Sequence, residues 1–350
     1  MRQAHPVAAA LLLCLACLVP ILRAQQSGAL GATPDELLAA GIRSNGLAEV
    51  KQPWHVKAHY EIVSYDGSPK ESGTYEEWWV SGKHYRRAYA SDKFSQTDFA
   101  SDDTLYRVGD QDWPDQRESQ VRTLLLQPVP ADTDLRDFNL EKTTRSFGTT
   151  ELPCVVLNPK RRSNVRVVVI GQSILSTHYC FEPSRPALRF ASLGAGHDDT
   201  TFNSVTLFQG QYFAKAVTLT NAKERLTLSI EVIEGLADAT DVDFTPPPGT
   251  PPFLHAGSVV SLKSNALTVL KHPPASYPEE ARRKRVKGTV TLQALIGKDG
   301  LAKGVEVLDG PAELRESAAE SLRQFRFRPF VVLDEPVEVS TKINLDFNLN

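Results

Sequence analysis

The chain has 350 residues, 41% hydrophobic and 23% charged, which is too long for one small domain and apolar enough for two packed cores. Its formal net charge of −3 gives no support to nucleic-acid binding. The basic run Arg282-Arg283-Lys284-Arg285 reads as the solvated end of a short helix.

Residues 1–24 read as an export signal, with Arg2 near the start, an apolar run over 7–22, and Leu22-Arg23-Ala24 placing a small residue where a signal peptidase cuts. The mature chain is expected to begin near Gln25. A retained membrane anchor is the competing reading, although the run is short for the roughly 20 residues of a span and contains Pro20. Lipidation at Cys17 is a third, on a poor consensus. Cleavage also removes Cys14 and Cys17 and leaves Cys154 and Cys180, which in an oxidising compartment are expected to pair; two separate buried thiols are the alternative.

Thr33-Pro34-Asp35-Glu36 predicts a helix N-terminus, with Thr33 as cap, Pro34 in the first turn and Glu36 completing a capping box. Asn45-Gly46 ends that helix, and Leu37, Leu38 and Ile42 give it one apolar face. Almost all that follows, up to about residue 245, predicts β structure. Trp54, Val56, Ala58, Tyr60 and Ile62 alternate with His55, Lys57, His59 and Glu61, so one face of that strand is apolar and the other wet. Asp66-Gly67-Ser68-Pro69 turns the chain into S-G-T-Y-E-E-W-W-V and then K-H-Y-R-R-A-Y-A. Further strands are expected at 94–100, 104–108, 154–157, 165–170, 174–181, 188–193, 202–208, 212–220 and 226–233. Such spacing argues a large, curling antiparallel sheet. The interval 111–147 fits either a short helix with loops or a lid.

The helix, the long curling sheet and the export signal together resemble the lipoprotein-carrier superfamily that includes LolA and LppX, over about residues 34–244. The resemblance rests on P-W-H-V-K-A-H-Y-E at 53–61, G-T-Y-E-E-W-W at 73–79 and the Y-R-R after it. It implies an incomplete barrel around an apolar cavity for a lipid, with Trp54, Tyr60, Trp78 and Trp79 as the large side chains near it. The alternative is that these aromatics fill a dry core. Because Trp78 and Trp79 are adjacent in a strand, only one of them can face inward.

The Pro-rich stretch T-P-P-P-G-T-P-P opens a linker at 246–264, read as a stiff spacer between a curved β domain at 25–245 and a second domain at 265–350. In the second domain, Tyr277-Pro278 begins a short helix with Ala281 facing inward. Gly288 opens a strand whose Val290, Leu292, Ala294 and Ile296 share a face; Lys298-Asp299-Gly300 turns it, and Val305 and Val307 return. Leu314, Ala318, Leu322 and Phe325 recur at helical spacing after Gly310-Pro311. The last strand alternates Val337, Val339, Thr341, Ile343, Leu345 and Phe347 with Glu338, Ser340, Lys342, Asn344 and Asp346. The fold class is therefore mostly β, an open-barrel-like antiparallel sheet followed by a small α+β domain in which a helix covers a sheet.

Y-P-x-x-A, G-T-V-T-L, D-G, the L-x-x-x-A helix, F-x-F-x-P and P-V, in that order over 275–347, resemble the TonB C-terminal domain. Phe325 stands where that family commonly has Trp. The resemblance implies binding of an envelope or outer-membrane protein by strand addition, with the edge nominated at Val337, Val339, Thr341, Ile343, Leu345 and Phe347. Three readings of the whole follow. The first is an exported envelope binding protein with a lipid-binding β domain; the second is an energy transducer with a retained anchor; the third is a structural scaffold without ligand.

No enzyme motif is evident: nucleophile elbow, H-E-x-x-H, P-loop and paired-cysteine zinc patterns are missing from the sequence. His197-Asp198-Asp199, beside Gly194 and Gly196, reads as a loop rather than a metal or acid/base cluster. No cofactor, metal ligand or catalytic residue is assigned.

Overall fold

A computed structural model describes residues 32–114, 116–131, 135–160, 176–193, 198–237, 242–273 and 275–349. The expected export signal, the strand expected at 165–170 and His197 lie outside them.

The first helix forms as its sequence dictates. In α1 (Pro34–Ser44) the Thr33 hydroxyl accepts from the Glu36 amide, and the Glu36 carboxylate accepts from the Thr33 amide at 2.9 Å. The chain then runs through β1 (Trp54–Ser64), β2 (Pro69–Ser81), β3 (His84–Ser91), β4 (Ser95–Ser101) and β5 (Thr104–Gly109) as one antiparallel meander. The interval with two readings resolves into a helix, α2 (Gln116–Leu126), and a strand, β6 (Phe138–Phe147). A second meander follows: β7 (Thr150–Pro159), β8 (Thr177–Phe181), β9 (Leu188–Leu193), β10 (Asp198–Phe208), β11 (Gln211–Asn221) and β12 (Glu224–Gly235). It returns to pair β12 with β1, joining the two meanders into one curved, unclosed sheet.

Period-two alternation sorts the side chains of this sheet. Trp54, Val56, Ala58, Tyr60 and Ile62 lie buried on the inner face of β1, as their spacing predicts. Leu37 and Leu38 of α1 and Val121 and Leu125 of α2 pack onto that face with Phe202, Phe213 and Leu228. The two helices fill the concave side, and burial of these side chains stabilises the domain by about 1.5–3 kcal/mol each.

The Pro-rich segment is not a free spacer. Its second half forms β13 (Pro252–His255), which pairs with β5 as the thirteenth strand, and β14 (Val260–Lys263), which pairs with the C-terminal sheet. Pro252 is tolerated as the first residue of an edge strand, where no inner ladder needs its missing N–H.

The C-terminal domain continues with β15 (Val269–Lys271), α3 (Glu279–Arg283), β16 (Gly288–Ile296), β17 (Ala302–Asp309), α4 (Ala312–Arg323), β18 (Arg326–Phe327), β19 (Phe330–Val332), β20 (Glu335–Val337) and β21 (Val339–Phe347). Its main sheet has the order β14-β21-β16-β17. Leu314, Ala318 and Leu322 of α4, followed by Phe325, pack on the buried faces of β16 and β21. Gly300 completes the turn before β17 at φ +74°, with its carbonyl accepting from the Phe327 amide at 2.8 Å. A Cβ there would lie 2.0 Å from the Phe327 carbonyl oxygen, so only glycine fits.

The two domains share an apolar core. Tyr85, Ala100 and Leu105 of the first sheet join the cluster built by Val332, Leu333, Val337 and α4. The tip of the β19–β20 hairpin, Leu333 and Asp334, has both residues at positive φ, as a tight two-residue turn requires. Asp334 sits so close to the β2–β3 turn that a Cβ on Gly82 would lie 2.2 Å from its own Cβ. Lys83 fastens the contact with ion pairs to Glu335 at 2.7 Å and Asp103 at 2.8 Å.

Cys154 and Cys180 are directly opposite on β7 and β8 and form a disulfide, beside Leu152 and Phe190 and away from the main core. Their separation of 26 residues closes a loop whose entropy in the unfolded chain is reduced by the link. Replacing both by Ala is expected to lower unfolding stability by about 3 kcal/mol. Urea titration of the oxidised protein and the double variant checks this, and coincident midpoints would contradict it.

Candidate functional site

Two places answer to the expected sites: the inner face of the large sheet and the edge of the C-terminal sheet.

On the inner face, Trp54 and Tyr60 are packed within the core, 1% and 2% exposed. Trp79 stacks on Trp54 with centroids 5.7 Å apart and touches both apolar cores. Trp78 lies on the opposite face, parallel to His55 at 4.6 Å and under the Arg86 guanidinium at 4.9 Å. His55 in turn places its ring nitrogens 2.9 Å from Glu234 and 3.0 Å from Glu76. The structure thus brings three of the four aromatics to one side and sets Trp78 apart. None of them lines the small cavity nearby, about 10 Å³, which lies among Asn45, Leu124, Pro128, Leu188 and Phe213 and has room for roughly one water.

Beside the aromatics the inner face carries a row of alternating charge that sequence reading missed. Glu77 on β2 is opposite Arg87 on β3, Arg87 opposite Asp98 on β4, and Asp98 opposite Arg107 on β5. Arg87 donates to Glu77 at 2.7 Å, and Arg122 of α2 reaches the other carboxylate oxygen at 3.1 Å. The Tyr75 hydroxyl also donates to Glu77. Arg107 grips Asp98 with two bonds at 2.7 and 2.9 Å and donates to the carbonyls of Gln111 and Asp112. Its guanidinium lies 4.4 Å from the Trp113 ring and 4.0 Å from Phe253 of β13. The signal was present in the alternation, since Glu77 has the same parity as the inward Tyr75 and Trp79.

At the C-terminal sheet the nominated edge needs correction. Val337, Val339, Thr341, Ile343, Leu345 and Phe347 all point into the domain core, 1–8% exposed. β21 is an inner strand over its first half: β16 pairs with one side, and β14 runs parallel along the other from Val260 opposite Val339 to Lys263 opposite Lys342. β14 stops there, and β21 continues past it through residues 343–347. β17 is the opposite edge of the sheet. Where β14 meets β21 lies a groove of about 350 Å³ lined by Ser261, Lys263, Gln293, Ser340, Thr341 and Lys342.

Among the described residues no group of three or more His, Cys, Asp or Glu converges as a metal site would, and no helix is long and apolar enough to cross a membrane. Asp198 and Asp199 begin β10 rather than a loop, paired with Leu193 and Ser192 of β9.

Residues 273–349 match the family described as Gram-negative bacterial TonB protein C-terminal. No curated protein matches the chain. Among solved structures, a LolA superfamily protein from Nitrosomonas europaea is similar at 11% identity, over 61% of this chain and 98% of its own, with a TM-score of 0.39. A putative outer membrane lipoprotein-sorting protein domain from Vibrio parahaemolyticus is 10% identical over 62% of this chain and 95% of its own, with a TM-score of 0.36. The TonB C-terminal domain of Pseudomonas aeruginosa is 23% identical over 26% of this chain and 93% of its own, with a TM-score of 0.23.

The charged row makes the first domain acid-sensitive. Burial pushes the Glu77 carboxyl up, but Arg122 and Arg87 outweigh it and hold the group at about 2. A folded value below the unfolded one, about 4.3, contributes stability at neutral pH that is lost as pH falls from there towards about 2, on the order of 3 kcal/mol. Glu77→Gln, which leaves two guanidinium groups without their counter-charge, is expected to cost about 3–5 kcal/mol at pH 7 and to flatten the dependence below pH ~5. Urea unfolding followed by Trp fluorescence across this range checks both, and an unchanged pH profile in the variant would count against the assignment.

Proposed function

We propose that this is a cell-envelope protein that binds rather than catalyses, exported by a signal at 1–24. In this reading its C-terminal domain recognises an extended segment of an outer-membrane protein. The observation that carries the reading is the TonB C-terminal match over 273–349, on a domain whose β21 backbone continues beyond its neighbour on one side. Unpaired N–H and C=O groups on such an edge can pair with an incoming strand.

The first domain is proposed as the mount for that module rather than as an acyl-chain carrier. Its concave face is occupied by α1, α2, Trp54, Tyr60 and the Glu77–Arg107 row, and the shared core holds the recognition domain against β2–β5. Energy transduction would need a retained N-terminal anchor, and N-terminal sequencing of the protein from envelope fractions decides that point, a start near Gln25 removing it.

Asn344 is exposed on the part of β21 beyond β14. With a photo-crosslinking amino acid at position 344, the full chain is expected to give adducts that map to an extended segment of an outer-membrane protein. Adducts confined to folded surfaces, or none, would sink the recognition role. Native mass spectrometry of gently extracted protein is expected to show no bound lipid, and a stoichiometric lipid would restore the carrier reading.

A further inference from the structure

The C-terminal sheet contains a strand from outside its family unit. The match begins at residue 273, whereas β14 is residues Val260–Lys263, yet β14 occupies the outer side of β21 in parallel. Without it the order β21-β16-β17 would leave the whole outer backbone of β21 open. The segment binds as a peptide ligand would. Val260 and Leu262 turn into the core while Ser261 and Lys263 face water, and backbone pairing supplies the rest.

The fit is incomplete at one point. Leu262 lies opposite Thr341, which is 2% exposed and whose hydroxyl has no hydrogen-bond partner. An unsatisfied buried hydroxyl penalises the arrangement that buries it. A strand carrying a hydroxyl or amide side chain in place of Leu262 would face Thr341 on the same side of the sheet and remove that penalty.

We infer that β14 is an internal stand-in for the partner strand, self-occupying the recognition edge until an extended segment of an envelope protein displaces it. The displacing segment runs parallel to β21, with an aliphatic residue at the Val260 position and Ser, Thr or Asn at the Leu262 position to hydrogen-bond Thr341. This rests on the recognition role proposed above and adds to it the identity of the slot, the direction of the strand and the side-chain pattern. Self-occupancy lowers the apparent affinity for the partner in proportion to the fraction of molecules with the slot open.

The test uses the full chain and a labelled synthetic peptide of its own residues 256–266, read by fluorescence anisotropy. The Val260→Asp/Leu262→Asp variant, with its own strand released, is expected to bind the peptide at least tenfold more tightly than the natural chain. A Ser261→Cys/Ser340→Cys pair, directly opposite in the register, is expected to exclude the peptide when oxidised and to recover natural binding when reduced. A peptide with Leu262→Thr is expected to bind severalfold more tightly than the natural peptide, and Thr341→Val in the protein to abolish that preference. Equal peptide binding by the natural chain and the released variant, or by the oxidised and reduced pair, would overturn the inference. If the released variant does not fold, the cysteine pair decides alone. Peptide uptake reports the slot without any envelope partner, so its failure is distinct from a failure of crosslinking at position 344.

Discussion

Charges can be buried on the inner face of a sheet only where each finds its opposite at the spacing of neighbouring strands. The row Glu77, Arg87, Asp98, Arg107 meets that condition across β2 to β5, and much of the structure is arranged by it. A slip of one residue in any of these strands would turn a charge outward and strand its neighbour in the core, so the row fixes register as firmly as the apolar pattern does. Arg122 ties α2 to the same row, which holds that helix over the inner face. At the other end Arg107 is clasped by Trp113 and Phe253, and Phe253 belongs to β13. The charged row therefore reaches from the first hairpin to the segment that leads into the second domain.

What could be read from the sequence was what depends on near neighbours. The capping box at Thr33 and Glu36, the alternation of β1 and the helical spacing of Leu314, Ala318 and Leu322 are all local patterns with one physical solution. The Cys154–Cys180 link was legible because the expected cleavage near residue 24 would leave only these two cysteines to pair. The charged row was not, because Glu77, Arg87, Asp98 and Arg107 acquire meaning only once four strands are in register. In isolation, an E-E before W-W and an R-R after H-Y read as the wet half of each strand. The interval 111–147 kept two readings for a related reason: α2 has almost no amphipathic signature, since Glu118 is buried and Arg122 reaches inward to Glu77 beside Val121 and Leu125. The Pro-rich stretch misled through composition, which spoke for a spacer until the residues after Pro252 found two sheet edges within reach.

Edges are the common problem of both domains. An open sheet exposes unpaired backbone groups, and a protein with two such sheets risks pairing with the wrong chain. Residues 252–263 cover one edge of each, β13 on β5 and β14 on β21. Only residues 256–259 join them, and the five steps from His255 to Val260 can span at most about 18 Å when extended. The two covered edges must therefore lie close together, and the shared core of Tyr85, Leu105 and Leu333 sits where it can keep them so.

This arrangement makes the position of the C-terminal domain a consequence of the first domain rather than of a tether. A flexible spacer would let the module sample a wide volume, at the cost of ordering it anew in each encounter. Docked through Leu333, Lys83 and Trp113, the C-terminal domain holds the β21 edge in one orientation relative to the large sheet. For the strand addition proposed above, such a mount would lower the entropy lost on binding but also restrict the approach to partners that can reach that edge. On the proposed recognition role, specificity would come from two layers: the geometry of access set by the first domain, and the side-chain pattern proposed for a strand that replaces β14. A mutation far from the edge, at the charged row or at the Gly82–Asp334 contact, would act on the first layer and leave the second untouched.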